Sequence, residues 1–202
     1  TLERQQIMQQ IEEAVAAGSD VSNYVLVAPQ FGSVVQRGVG TFGQPGGFKK
    51  FMDDAARELT RVCGSGCTAQ TFANAKHVFV SYSGGGIASA AALKHGGVPV
   101  QINILLDAAY SRPDHVKWLN EDPASRIFVS VSGTSLEGEN ITGNVVRTVG
   151  GEQVTTQVTS LKAAFGKKVT VDAPLAAGQR LRPGDVAIFN IPGAGHTDFV
   201  TT

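Results

Sequence analysis

The stretch that decides the fold is HVFVSYSGGGIASAAALK, residues 77–94. It opens with a short, largely apolar run (residues 77–81) that predicts a strand. It continues with a series of small residues (84–94) that predicts a closely packed helix. Ser83 stands between the two, followed by three glycines that allow a tight turn. The stretch therefore predicts a strand–turn–helix unit, which is typical of α/β folds.

Strands and helices alternate on both sides of this unit. Strands are predicted where apolar runs occur, and helices where apolar residues recur every three or four positions. The further predicted strands are residues 24–28, 100–106, 127–132 and 186–191, and the further predicted helices are residues 2–17, 48–62 and 154–165. This order predicts one α/β domain over residues 1–202, a three-layer sandwich with a mostly parallel sheet of about five to six strands and helices on both faces.

The composition narrows the classes of partner. Lys plus Arg and Asp plus Glu both number 17, so no excess charge favours nucleic acid. No apolar run approaches the roughly 18 residues that span a membrane. Cys63 and Cys67 fit either a disulfide loop, which implies a secreted or periplasmic protein, or two reduced thiols, which imply a cytoplasmic one. A structural zinc site is not expected, because such a site needs four ligands and no second pair accompanies the two cysteines. No organic cofactor is expected either, because the reaction predicted below does not require one.

Ser83 fits the nucleophile-elbow pattern, in which a serine sits on a strained turn between a strand and a helix. Small residues two positions before and after it, here Ser81 and Gly85, prevent clashes between strand and helix. The N–H of Gly84 then points, with the helix N-terminus, to the place where an oxyanion would form. The pattern predicts Ser83 as a nucleophile and Gly84 as an oxyanion-hole donor.

Two more polar residues follow predicted strands, at the edge where parallel sheets bind ligands. Asp107 comes directly after residues 100–106, and His196 lies among glycines after residues 186–191. The chain order serine, acid, histidine is that of α/β-hydrolases. We therefore predict Asp107 as the acid that orients the base, and His196 as the base. The alternative acids are Glu137, Glu139 and Asp198.

The chain resembles the α/β-hydrolase superfamily, and within it a group of bacterial serine hydrolases. The resembling stretches span nearly the whole chain: residues 1–4, 26–31, 45–48, 82–85, 105–108 and 196–200. The resemblance implies Ser83, Asp107 and His196 as a catalytic triad. It also implies a strand ending in His-Gly upstream of Thr1, whose loop gives the second oxyanion donor. The expectation is thus that the N-terminal strands are lacking and that a segment of the same precursor is a partner. The residues expected to line the pocket are Tyr82, Gln30 and Phe31.

These residues predict a carboxylesterase-like serine hydrolase that cleaves a small-molecule ester or amide through an acyl-enzyme on Ser83. Three alternatives stay open. The first is a non-catalytic binding module with a hydrolase-like fold. The second is a Rossmann-like nucleotide or phosphate site in which Asp107 binds a ribose, although Ser89 replaces the third glycine of that fingerprint. The third makes Thr1 an N-terminal nucleophile released by self-cleavage.

Overall fold

The computed structural model describes residues 7–18, 24–29, 39–64, 67–110, 112–134, 146–149, 152–176 and 178–199. The helices in these ranges are α1 (Ile7–Ala16), α2 (Gly47–Cys63), α3 (Ala69–Ala73), α4 (Gly85–His95), α5 (Arg112–Glu121) and α6 (Thr156–Phe165). The strands are β1 (His77–Tyr82), β2 (Val100–Leu106), β3 (Ile127–Gly133), β4 (Val146–Val149), β5 (Glu152–Thr155) and β6 (Val186–Ile191). Short 3-10 helices cover Gly40–Gly43, Gly166–Lys168 and His196–Phe199.

Four parallel strands form the main sheet, in the order β1-β2-β3-β6. One row of paired residues runs across it from Phe79 through Asn103 and Phe128 to Val186. Strands β4 and β5 form a separate antiparallel hairpin. The fold is therefore of the α/β class. Its main sheet has four strands rather than the five to six that the sequence predicted.

Residues 24–28, predicted as a buried strand, form no strand in the structure. Tyr24, Val25 and Leu26 are 73%, 54% and 49% exposed. Extended backbone is stable in a sheet only when its N–H and C=O groups pair with a neighbouring strand. Within the described ranges, this segment has no such neighbour. The apolar run therefore identified residues suited to burial, but it did not identify a strand, and this accounts for part of the overestimated strand count.

The helices of the larger core pack on one face of the sheet. Because the four strands follow one another in space as they do in the chain, every crossover moves in the same direction. Right-handed crossovers then place α4, α5 and α6 on the same face. The core on that face includes Phe48, Leu93, Leu105, Leu119, Phe128 and Leu161. On this face of the sheet the described residues form one layer of helices.

The second face of the sheet is covered only in part. Its buried cluster consists of Val129, Val131, Ala187 and Phe189, against which Val171, Leu181 and Phe199 pack. No described α-helix contributes to this cluster. Toward β1 the cover ends, so Val78 and Val80 remain 43% and 62% exposed.

The sequence missed two local elements, the helix α3 and the β4–β5 hairpin. Helix α3 has only five residues, too few for a periodic pattern, and a capping contact defines its start. The Thr68 hydroxyl accepts a hydrogen bond from the Thr71 N–H at 3.2 Å, and the Thr71 hydroxyl accepts one from the Thr68 N–H at 3.1 Å. Such reciprocal caps stabilise helix starts that hydrophobic periodicity does not reveal.

Two observations bear on location. None of the described helices combines the length and the apolar character that crossing a membrane requires. Cys63, at the end of α2, and Cys67 lie at disulfide-bonding distance, with their Cα atoms 5.8 Å apart. That spacing is usual for a disulfide, so the geometry is consistent with the disulfide alternative.

Candidate active site

Ser83 occupies the turn between β1 and α4, with a φ angle of +50°. A residue with a side chain is strained in this left-handed region, and such strain concentrates at functional sites. Two backbone hydrogen bonds stabilise the turn. The Ser83 N–H donates to the Leu106 carbonyl at 3.3 Å, and the Ser83 carbonyl accepts from the Gly86 N–H at 3.1 Å. The half-buried serine is therefore fixed at the end of β1, next to the end of β2.

Glycine is sterically required at position 86. A Cβ there would lie 1.8 Å from the carbonyl oxygen of Ala108, on the loop after β2. At Gly85, the nearest atom to an added Cβ is the Ser81 Cβ at 3.8 Å, an ordinary contact. The expectation that Ser81 and Gly85 carry the steric demand is therefore corrected. The start of α4 packs against the loop that carries Asp107, and that loop makes the tighter contact.

Asp107 follows β2 in a second left-handed turn, with φ at +45°, a conformation that aspartate tolerates better than most residues. Its N–H donates to the Val131 carbonyl at 2.8 Å. Asp107 is only 5% exposed, and its Oδ2 contacts Nδ1 of His196. An ionised carboxylate only accepts hydrogen bonds, so Nδ1 carries the proton and Nε2 of the neutral ring is left to accept one.

The alternative acids are placed differently. Asp198 accepts a hydrogen bond from the Gly195 N–H through Oδ2, at 2.7 Å. That bond closes the turn His196–Phe199 and engages an oxygen of Asp198 in the backbone of its own loop. Glu137 and Glu139 lie outside the described residues. Among the described carboxylates, Asp107 is therefore the one in direct contact with the His196 ring.

The loop that carries His196 is held against the end of β3. The Gly193 N–H donates to Oγ1 of Thr134 at 2.9 Å. A Cβ on Gly133 would lie 2.1 Å from the Ala194 carbonyl oxygen, so the approach requires glycine there. These contacts set where the imidazole meets Asp107.

Tyr82, expected to line a pocket, lies against the imidazole. The rings of Tyr82 and His196 stack with their centroids 4.8 Å apart and their planes at 29°. Burial raises the pKa of Tyr82, and the charges of Asp107 and Asp198 raise it further. The tyrosine is thus kept neutral beside the ring of His196. The other expected pocket residues, Gln30 and Phe31, lie outside the described residues.

Tyr110 is a residue that the sequence analysis missed. Burial raises the pKa of Tyr110 to about 12, with a contribution from the charge of Asp107, while the Ser83 side chain acts in the opposite direction. Within the described residues, no hydrogen bond joins the Ser83 hydroxyl to His196. The only signal in the sequence was that Tyr110 follows Asp107 by three residues at the same sheet edge.

A buried polar pair lies behind the site. The amide Nδ2 of Asn103 donates to Nδ1 of His115 at 2.9 Å, and both residues are fully buried. Burial lowers the pKa of His115 to about 4, although interactions with the Gly86 backbone, the Asp114 charge and the Tyr110 backbone oppose this shift. The imidazole therefore joins α5 to β2 through Asn103, and within the described residues its buried Nε2 has no hydrogen-bond partner.

The predicted residues Ser83, Gly84, Asp107 and His196 thus lie around one edge of the sheet, where β1, β2 and β6 end. The N–H of Gly84, before the first turn of α4, has no acceptor among the described residues. In the same part of the chain, no group of three or more His, Cys, Asp or Glu side chains is arranged to hold a metal ion.

Comparisons with protein-family models, with curated proteins and with solved structures find no match to this chain. What the site does is therefore inferred from its residues and their geometry.

Proposed function

We propose that the protein is a serine hydrolase of the α/β-hydrolase type, which cleaves an ester or amide through an acyl-enzyme on Ser83. The observation that carries the proposal is the contact between Asp107 and Nδ1 of His196, beside a serine held in a left-handed turn. A buried carboxylate that fixes the imidazole tautomer, next to a serine on a sharp strand-to-helix turn, is the arrangement that acyl transfer uses.

The proposed reaction has two halves. The Ser83 Oγ attacks the substrate carbonyl carbon while Nε2 of His196 takes the hydroxyl proton, and the carbonyl electrons move to the oxygen. The Gly84 N–H donates to this oxyanion. When the intermediate collapses, the leaving group departs with the proton from Nε2. Water then attacks the acyl-enzyme by the same route and releases the acid. Asp107 stabilises the imidazolium in both halves.

The resting geometry bears on the first step. Within the part of the chain that the structure describes, no hydrogen bond joins the Ser83 hydroxyl to His196. Catalytic hydrogen bonds are often long or poorly aligned without substrate and tighten in the complex. A rotation of the serine side chain about its Cα–Cβ bond would direct the hydroxyl toward Nε2 of His196. In this proposal, substrate binding drives that rotation.

A fluorophosphonate probe tests the proposal, because it is attacked at phosphorus by an activated serine, with loss of fluoride. Intact protein should be labelled on Ser83, and Ser83→Ala should abolish the labelling. The matched control is Ser125→Ala, since Ser125 is an exposed serine whose hydroxyl contacts Asp122; it should label as the wild type does. If the wild type is not labelled, or if the Ser83 variant is labelled equally, Ser83 is not the nucleophile and the proposal is rejected.

One observation favours a second candidate, a non-catalytic binding module. Among the described residues, the Ser83 hydroxyl has no hydrogen bond to the imidazole, and a serine without that bond is not an activated nucleophile. Such a module would bind an ester-like ligand without turnover, and an absence of labelling would support it. The nucleotide-binding alternative is less favoured, because the contact with His196 engages Asp107, the residue needed for a ribose.

The disulfide-bonding distance of Cys63 and Cys67 supports a secreted or periplasmic location as part of the proposal, since disulfides persist in oxidising compartments. A cytoplasmic location remains the expectation for the reduced pair.

A further inference from the structure

Tyr82 has no role in the reaction as proposed above, yet its ring is stacked on the proposed base. The centroids of the Tyr82 and His196 rings are 4.8 Å apart, and the two planes meet at 29°. That separation lies in the range of favourable aromatic pairs. The side chain of His196 is only 9% exposed, so the stack belongs to a largely buried surface and not to a loose contact in solvent.

Tyr82 reaches the imidazole from the end of β1. Side chains alternate along a strand, so Tyr82 points to the same face of the sheet as Val80. Phe199, in the same 3-10 turn as His196, packs on that face too. The turn that carries the base therefore approaches the face from which the tyrosine projects. Because Tyr82 directly precedes Ser83, one strand end carries both the proposed nucleophile and the ring that stacks on the base.

The contact with Asp107 leaves one motion of the imidazole open. It fixes the position of Nδ1, but the ring can still tilt about the line that joins Nδ1 to the carboxylate. A stack against Tyr82, which belongs to the paired end of β1, opposes this tilt, since tilting would separate the two ring faces. One contact at Nδ1 and one on the ring face together determine where Nε2 points, and orientation of this kind contributes to rate.

The electrostatics of the stack favour the imidazolium that forms during the reaction. The face of an aromatic ring attracts a cation that lies within about 6 Å of its centroid. Burial raises the pKa of Tyr82, and the charges of Asp107 and Asp198 raise it further. Tyr110, also in this group, has its pKa raised to about 12. Around the imidazole the two carboxylates therefore carry the negative charge, while both phenols stay neutral and Tyr82 presents its ring face.

We propose that Tyr82 is a positioning residue for the base: its ring sets the plane of the His196 imidazole and stabilises the imidazolium as Nε2 takes the Ser83 proton. The same contact acts in both halves of the reaction, because the imidazolium forms in each. Tyr82 itself transfers no proton and forms no bond to the substrate. This role goes beyond the expectation that Tyr82 lines a pocket, and the inference rests on the proposed hydrolase function.

The test is Tyr82→Leu, which keeps an apolar side chain and removes the aromatic face. With p-nitrophenyl acetate as the substrate, kcat should fall about tenfold with KM little changed, because the aim of Nε2 and the stabilisation of its cation are both lost. Tyr82→Phe keeps the ring and should restore the wild-type kcat. The matched control is Tyr24→Leu, at the exposed Tyr24, which should retain wild-type kinetics. A higher KM with unchanged kcat in Tyr82→Leu would make Tyr82 a pocket wall and overturn the inference.

The pH dependence of kcat/KM separates this role from a purely structural one. The imidazole has to be neutral to accept the serine proton, so kcat/KM falls in acid. Without the aromatic ring the imidazolium is less stable, and more acid is needed to form it. The acidic side of the profile should therefore move to lower pH in Tyr82→Leu, by about half a pH unit to one pH unit, and stay in place in Tyr82→Phe. A lower kcat with an unmoved acidic side would reject the inference.

Fluorinated phenylalanines at position 82 provide the test if the leucine variant does not fold. Each fluorine withdraws negative charge from the ring face and leaves the shape of the ring nearly unchanged. The acidic side of the profile should move stepwise to lower pH from phenylalanine to 3,5-difluorophenylalanine and then to 3,4,5-trifluorophenylalanine, and an unmoved profile would contradict the inference. Failure of the proposed function is distinguishable, because in that case the fluorophosphonate does not label the wild-type Ser83 at all.

Discussion

At the scale of single residues, the site depends on backbone positions as much as on its reactive side chains. Ser83 and Asp107 both have positive φ angles, and they are the only described residues other than glycine that do. A residue with a side chain in this conformation lowers the free energy of unfolding by of order 1–3 kcal/mol. Two adjacent strand ends with the same strain, one carrying the hydroxyl and the other the carboxylate, suggest selection for geometry over stability.

Gly86 gives a direct test of the packing between the two strained turns. Gly86→Ala should destabilise the protein by about 1–3 kcal/mol, because its Cβ would lie 1.8 Å from the Ala108 carbonyl oxygen and backbone would have to move. Gly85→Ala is the matched control. Its Cβ has 3.8 Å of clearance, and alanine favours helix by up to about 1 kcal/mol. Urea unfolding measures both, and equal effects of the two substitutions would contradict the packing described.

The residues of the site were predictable to different degrees. The positions of Ser83, Asp107 and His196 at one edge of the sheet could be predicted, because each residue follows an apolar run and the strands belong to one parallel sheet. Gly86 was missed because its partner, Ala108, is brought close only by the folded loop. Tyr110 was missed for the same reason. The end of a strand can be predicted from the local sequence. The path of the loop that follows it depends on tertiary contacts, such as the one between Ala109 and Gln157.

At the scale of elements, α5 is joined to β2 through His115, a buried histidine that is neutral in the folded protein. His115 is fully buried, and its pKa is lowered to about 4 by burial. In the unfolded chain the pKa is near 6.5. As the pH falls below 6.5, His115 binds a proton in the unfolded state but not in the folded state. The free energy of unfolding therefore decreases down to about pH 4, and the contribution of His115 is constant below that pH.

This linkage predicts a loss of roughly 3 kcal/mol in the free energy of unfolding between pH 6.5 and pH 4, at 1.36 kcal/mol per pKa unit. Urea unfolding of the wild type and of His115→Asn over that range isolates the contribution. Asparagine does not titrate, and its side-chain oxygen can accept from Asn103 as Nδ1 does. The variant should therefore lose less stability in acid. Parallel pH profiles for the two proteins would show that His115 is not the group responsible.

The local sequence was least reliable for predicting which segments form strands. Residues 24–28 and residues 100–106 are similar apolar runs, yet only the second pairs with neighbours on both sides. Hydrophobicity indicates that a segment is stabilised by burial, but the segment becomes a strand only if the sheet has a neighbouring strand for it to pair with. The placement of helices on one face had a predictable cause, the unidirectional strand order, but that order itself emerges only from tertiary packing.

At the scale of the whole molecule, the described sheet is open at β1. Val78 and Val80 are large apolar side chains on its uncovered face, and β2 is the only described strand that pairs with β1. Parallel sheets are normally buried on both faces, and exposed edges without charge favour self-association. The lack of net charge on the chain at pH 7 provides little repulsion between copies.

We therefore expect reversible association that rises with protein concentration and that Val80→Lys reduces, with little change in the free energy of unfolding because Val80 is mostly exposed. Val62→Lys is the matched control. Val62 is 69% exposed but lies near the end of α2, away from the sheet, so this change should have the smaller effect. Sedimentation velocity across a concentration series measures association. Equal effects of the two lysines would point to general charge and not to the β1 edge.

The contact between Asp107 and His196 joins positions 89 residues apart in the chain. Serine and carboxylate come from consecutive strands joined by one helix, while the imidazole arrives with β6, the last strand in the chain. Long-range closures of this kind are slow relative to local ones. A refolding chain would thus bury Trp118 of α5, the helix that joins β2 to β3, early and bring His196 to Asp107 late. The return of the proposed hydrolase activity would then report the arrival of the final strand, which tryptophan fluorescence alone would not.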